Sequence, residues 1–277
     1  YLKVLYFGTE DLHQIPPDPS ITQGLVRRKL LETGRVVSKR LRMTKRSPFR
    51  YFKTSPEIIR LAVMLYVRFP LSLRNVEDLL HERGIEISHE TVRFWWNRFG
   101  PMFAAEIRRK RVQQMRAYSN WQWYLDEVFV KINGETHYLW RAVDHEGEAL
   151  ESYVTKRRNR KAALKFLRKT MKCHGHPYIL VTDKLRSYGA AMKDIGNEQR
   201  QETGRWKNNR AENSHLPFRR RERAMQRFRS MRSLQKFATV HASVCNHFNQ
   251  ERALYSRDNF KLNRAAALAE WRDLGAA

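Results

Sequence analysis

The chain has 277 residues, of which 42% are hydrophobic, and its 54 Lys and Arg against 28 Asp and Glu leave a formal net charge of +26. The apolar fraction, with 7 Trp, 14 Phe and 11 Tyr, excludes a disordered basic tail and allows about two domains. The charge excess concerns partners: neutralising backbone phosphates releases counterions, so nucleic acid leads and a membrane surface is the weaker alternative.

The longest apolar run, "IIRLAVMLYVRFPLSL", is interrupted by Arg60, Arg68 and Pro70. It falls short of the roughly 20 residues that a spanning helix needs. Cys173 and Cys245 are the only cysteines and no signal peptide is visible, which fits a reducing cytoplasm without a disulfide framework. Cys245 stands between His241 and His247, a trio with zinc-binding residue types. Its spacing lacks paired ligands, and helix packing is the favoured reading. The chain opens on Tyr1, and the sequence leaves open whether it is a fragment or an extended reading with Met43 as the natural start.

In chain order, residues 1–50 form a basic N-terminal extension. An apolar and acidic opening and a "QIPPDPS" spacer precede "RRKLLETGRVVSKRLRMTKR", which is either a solvated arm or one that lies along DNA. Residues 51–115 read as a helix-turn-helix domain. Ser55 and Pro56 start a first helix. A second runs from about Leu73 to Arg83 and stops at Gly84. Ser88 caps a third in "SHETVRFWWNRFGP". At about 3.6 residues per turn, Val92, Trp95, Trp96 and Phe99 share the core face. Arg93 and Asn97 lie opposite, and they are side-chain types that read guanine and adenine edges in the major groove. Residues 100–120 read as a separate basic helix and a connector at the domain boundary.

From Trp121 the texture turns to strands: "WQWYLDEVFVKI", "ETHYLWRAVD" and "LESYVTK", separated by the turn signals "NG" and "HEG". A helix "NRKAALKFLRKTMK" with Ala163, Phe166, Leu167 and Thr170 on one side follows, then the strand "PYILVTDK". This is an α/β pattern with a mixed sheet. Asp126 lies among apolar neighbours and Asp183 ends a buried strand, so the two are expected to face one another across adjacent strands. Glu212 completes the set if "NNRAENSH" begins a helix at that edge, with Asn208, Glu212, His215 and Arg219 on one face. Three hard oxygen donors suit Mg²⁺ or Mn²⁺, and the arginines beyond them suit a phosphodiester. Glu127, Asp144, Asp194 and Glu222 are rival acids, each more readily read as a surface or turn charge.

At these residues the chain resembles the DDE transposases of the insertion-sequence-six family of bacterial mobile elements. The resemblance rests on "LDEVFVKING", "YLWRAVD", "KRRNRKAALKFLRK", "TDKLRSYGAA", "NNRAENSH" and "RRRERAMQRFRSM", in that order, between Ser47 and the C-terminus. It implies a ribonuclease-H-like catalytic domain, here 116–235, behind the helix-turn-helix domain and before a C-terminal helical segment, 236–277. It implies Asp126, Asp183 and Glu212 as the catalytic, metal-binding triad. Arg219, Arg220, Arg221 and Arg223 join Arg93 and Asn97 as DNA-binding residues, and Arg219 matches the basic residue seven positions after the glutamate. The expected activity is cleavage and strand transfer at the element's terminal repeats, giving a cointegrate, by a homodimer or higher oligomer on double-stranded DNA in the bacterial nucleoid. A non-catalytic DNA-binding regulator is the alternative. The 28 residues between Asp183 and Glu212 are fewer than is usual in such triads, a difference expected to shorten the loop before the helix.

Overall fold

The computed structural model describes residues 47–115, 122–204, 207–225, 227–249 and 256–276. The expected basic extension, up to Arg46, and the expected domain boundary, at 116–121, lie outside them. Helix α1 is Pro56–Arg68. Proline takes its first turn, where the missing N–H has no intrahelical partner to lose. Helix α2, Leu73–His81, opens on a capping box in which Asn75 N–H donates to Ser72 Oγ and Ser72 N–H to Asn75 Oδ1, both at 3.0 Å. It ends before the expected Arg83, and the chain turns through Gly84 at φ 71°.

Helix α3 is His89–Met115, with Ser88 Oγ accepting from Thr91 N–H at 3.3 Å. Val92, Trp95, Trp96 and Phe99 are buried, and Arg93 and Asn97 are exposed. The expected break at Gly100–Pro101 is corrected: one helix runs through both residues. Pro101 cannot donate to the carbonyl of Asn97 four residues back. Lys236 Nζ donates to that oxygen instead, at 2.9 Å. Gly100 leaves room for the Trp96 ring, which an added Cβ would meet at 2.6 Å.

The sheet comprises β1 (Gln122–Ile132), β2 (Glu135–Asp144), β3 (Ala149–Thr155), β4 (Ile179–Thr182) and β5 (Gln201–Thr203), in the order β3-β2-β1-β4-β5. The β1–β2 and β2–β3 pairs are antiparallel, whereas β4 runs parallel to β1 and β5 parallel to β4. Asn133 and Gly134 both have positive φ, 52° and 85°, as a two-residue hairpin with the right twist requires. Between and after the strands come α4 (Arg160–His174), α5 (Arg186–Ile195), α6 (Asn209–Ala224), α7 (Met231–Phe248) and α8 (Arg257–Asp273). An antiparallel meander extended by parallel strands through helical crossovers is the ribonuclease-H-like fold.

Alternation along the strands sends Trp123, Leu125, Trp140 and Ala142 to one face, where they pack with Phe166 and Leu167 of α4 and Tyr188 of α5. Val128, Val130, Leu139 and Val154 face the other way and join an apolar cluster with Trp96, Phe99, Phe218 and Phe237. Asp126 is opposite Arg141 in the β1–β2 register and therefore belongs to this second face, toward α6 and α7. Glu127, opposite Trp140, belongs to the first.

Candidate active site

Strands β1 and β4 pair in parallel up to Leu125 and Thr182. The next residue on each is an aspartate, so the register alone delivers Asp126 and Asp183 to the same end of the sheet. Asp126, Glu127 and Asp183 each offer a carboxylate oxygen within 4.8 Å of the others, the one such metal-capable group among the described residues. Asp126 Oδ1 accepts from Glu127 N–H at 2.9 Å, and Asp183 Oδ1 accepts from Leu185 N–H at 3.0 Å where α5 begins. Burial, aided by the charges of Glu127, Asp183 and Glu212, raises the Asp126 pKa to about 7 against the opposing Glu127 N–H.

Glu212 is not part of the 4.8 Å group and lies exposed in the first turn of α6. Two residues of the expected helix face tie α6 to β1 on either side of it. Asn208 Nδ2 donates to Leu125 O at 2.9 Å, and His215 Nδ1 stands 3.8 Å from Asp126 Oδ2. Burial, then Arg141 and Arg219, lowers the His215 pKa to about 3, so the imidazole is neutral at physiological pH.

Glu127 is not the surface charge its sequence context favoured. Its side chain is fully buried, pairs with Arg158 and accepts from Tyr188 Oη at 3.1 Å. Burial, then Asp183, raises its pKa, while Arg158 and Tyr188 oppose the rise. Arg158 also donates to Asp183 Oδ2 at 3.2 Å and lies over the Phe129 ring. The period-two pattern through Trp123 and Leu125 was the signal for Glu127, since it places the carboxylate on an apolar face. Nothing local to Arg158 marks its role.

The other acids are engaged structurally. Asp144 Oδ1 accepts from Glu146 and Glu148 N–H at 2.9 Å each, closing the β2–β3 turn. Asp194 pairs with Arg160, and Glu222 with Arg219 at 2.6 Å along α6. His247 Nε2 lies 2.8 Å from Ala267 O, and His241 stacks on Phe237, so the His241, Cys245 and His247 trio does not converge.

Of the residues expected at DNA, Arg220 and Arg223 are exposed and Arg219 is half-buried. Arg93 pairs with Glu90 at 2.8 Å, and Asn97 Oδ1 accepts from Lys236 Nζ at 2.9 Å. The expectation for Arg221 is corrected, because it is only 1% exposed. Three residues after the buried Phe218, it shares the inner face of α6, donates to Leu71 O at 2.8 Å and stacks over Tyr66 and Phe237. It cannot meet a phosphate from there. No helix among the described residues is long and apolar enough to cross a membrane.

Residues 120–251 match the IS240-type transposase family model described as a DDE domain. Two Staphylococcus aureus proteins, the transposase for insertion sequence-like element IS431mec and the transposase for insertion sequence element IS257 in transposon Tn4003, are each 33% identical to this chain over 147 residues. Each alignment covers 53% of this chain, which spans 63% of the length of these curated relatives. Among solved structures, the HTLV-2 integrase catalytic core domain in complex with magnesium aligns with a TM-score of 0.37 and 12% identity, over 48% of this chain and 89% of that one. With the sequence motifs lying on the strands and helices that build the acidic site, residues 120–251 are similar to the DDE domains of insertion-sequence transposases.

Proposed function

We propose that the chain is a DNA transposase that binds the terminal repeats of its insertion sequence, cuts a strand by divalent-metal-assisted hydrolysis and joins the resulting 3′-OH to target DNA, with a cointegrate as product. The observation that carries this reading is the meeting of Asp126 and Asp183 at the ends of two parallel strands, beside the helix that carries Glu212. The donor set fits a hard divalent cation: it offers only carboxylate oxygens, and burial without a full counter-charge keeps Asp126 near neutrality. Asp126 and Asp183 would hold Mg²⁺ or Mn²⁺, with Glu212 contributing from α6. Bound there, the metal supplies Lewis acidity toward a phosphodiester and lowers the pKa of an attacking hydroxyl.

The remaining work falls to the chain's own side chains. Asn208 fixes the start of α6 against β1, and Arg158 positions Asp183. Arg219, Arg220 and Arg223 bind backbone phosphates, while Arg93 and Asn97 on the outer face of α3 read base edges. The working unit is a homodimer or higher oligomer that holds duplex DNA from the element ends and the target.

The test is a duplex carrying the flanking repeats, incubated with purified protein and Mg²⁺ and scored for nicking and strand joining. Asp126→Asn, Asp183→Asn and Glu212→Gln should abolish both steps and keep repeat binding, whereas Glu222→Gln should keep activity. Repeat binding by the wild type without any nicking would make the protein a DNA-binding regulator instead. Neutralising Arg220 and Arg223 should flatten the salt dependence of binding by roughly one unit per lost phosphate contact.

A further inference from the structure

Beneath α6 and α7, the sheet face that carries Asp126 holds a second polar site. A cavity of about 80 Å³ is lined by residues that include Arg141, Ser214, Pro217, His241, Cys245 and Asn246. Arg141 rises from β2 directly opposite Asp126 and is 5% exposed. Its Nε is buried without a hydrogen-bond partner, and no carboxylate pairs with it among the described residues. A guanidinium does not shed its proton at neutral pH, so it stays charged even here, where burial lowers its pKa to about 10.

Nothing in the wall balances that charge. Arg141 is the only formally charged residue lining the cavity. Burial holds the His241 pKa at about 3 and pushes the Cys245 thiol up to about 11, leaving both neutral. The Asn246 amide is committed to Ala149, donating to its O at 2.8 Å and accepting from its N–H at 3.0 Å. The Ser214 hydroxyl donates to Ala211 O at 2.6 Å. Asp126, the cross-strand neighbour of Arg141, makes no ion pair with it among the described residues, so an anion in the cavity would supply the missing counter-charge.

We propose that this cavity binds a small inorganic oxyanion of the phosphate or sulfate class, held by the Arg141 guanidinium. A water occupies roughly 10–15 Å³ on this measure, so the space admits several waters or one tetrahedral anion. The cavity is partly open, but Arg141 is only 5% exposed, so a compact free anion reaches the guanidinium where a phosphodiester, which continues in both directions, does not. His215 of α6 lies near both Arg141 and Asp126, with Nδ1 3.8 Å from Asp126 Oδ2 and Nε2 buried without a hydrogen-bond partner. An anion on Arg141 therefore braces α6, the helix that carries Glu212, against β2.

Crystals of the full chain grown with selenate should show an anomalous peak within hydrogen-bonding distance of Arg141, and waters alone at saturating selenate would overturn the proposal. In solution, thermal unfolding at constant ionic strength should show a saturable rise with inorganic phosphate. Arg141→Gln should weaken that response roughly tenfold or more, leaving only the gradual screening of surface charge. Ser214→Leu, which fills the cavity and keeps the guanidinium, should lose the response as well and serves if Arg141→Gln does not fold. An equal response in wild type and variants, or no saturable response in the wild type, refutes the site.

Discussion

Glu127 and Glu212 sit on either side of Asp126, yet their charges do different things. The Glu127 carboxylate is wholly buried between Arg158 and Tyr188, so neutralising it strips Arg158 of its inner partner. Glu127→Gln should therefore cost about 1–2 kcal/mol in urea denaturation, because it removes a charge-assisted hydrogen bond while Arg158 keeps Asp183 as its second partner. Glu212→Gln, at an exposed position, should stay within about 0.5 kcal/mol of wild type. An unchanged midpoint for Glu127→Gln would return that residue to the role of a free metal ligand. His241 supplies a pH prediction. Burial, then Arg141 and Arg221, depresses its pKa from 6.5 to about 3, so below pH 6.5 the unfolded chain binds the extra proton. Its contribution to stability is complete above pH 6.5 and is lost as the pH falls toward 3. His241→Gln should show a smaller loss of stability than wild type between about pH 7 and pH 4, measured by urea midpoint. At this scale the aspartates were legible, because each stands out against an apolar strand. Arg158 and Arg141 were not, since what distinguishes them is the partner present or missing across the fold.

Among the elements, α3 shows what local sequence cannot contain. A proline after a glycine reads as a helix stop, and the compensation comes from Lys236, 139 residues away, on α7. The same contact joins the base-reading candidate Asn97 to the helix that covers β3. Lys236→Met should cost about 1 kcal/mol, the worth of a hydrogen bond that leaves a carbonyl without its donor. In a Pro101→Ala background the loss should shrink, because the restored N–H of residue 101 takes over the Asn97 oxygen. A double-mutant cycle measures this coupling, and strict additivity would refute the explanation. Elsewhere the elements followed from local signals: Asn-Gly for the first hairpin, Ser-Pro for α1, and the spacing of Ala163, Phe166, Leu167 and Thr170 for α4. Helix α5 and strand β5 lacked such signals. The former carries Gly189 and opens within the motif read as a catalytic strand end, and the latter is only Gln201–Thr203, defined by its pairing with β4.

For the molecule as a whole, the question is whether the helices before residue 116 and the sheet after it unfold together. Arg46–Ala277 forms one compact unit, and a single apolar cluster contains Val63 of α1, Trp96 and Phe103 of α3, Val130 of β1 and Phe237 of α7. Phe237 is the junction: its ring centroid lies 5.7 Å from Trp96, 6.3 Å from Phe218 and 5.8 Å from Phe228. The far end is bound in as well, since Arg60 Nε donates to Leu274 O at 2.7 Å and Trp271 Nε1 to Arg60 O at 3.2 Å. Any local opening that frees α1 to α3 must expose this shared surface, which couples it to loss of the sheet's packed face. Tryptophan fluorescence and far-UV circular dichroism should therefore report coincident transitions on heating or in urea. Phe237→Ala should lower both together by about 3–5 kcal/mol, the cost of emptying a packed aromatic site. Two separated transitions in the wild type, or a variant that shifts one probe alone, would mean that the shared core does not couple the units. Coupling of this kind also fixes the exposed face of α3, with the proposed base-reading pair Arg93 and Asn97, relative to the acidic strand ends, so packed side chains set the spacing between the two.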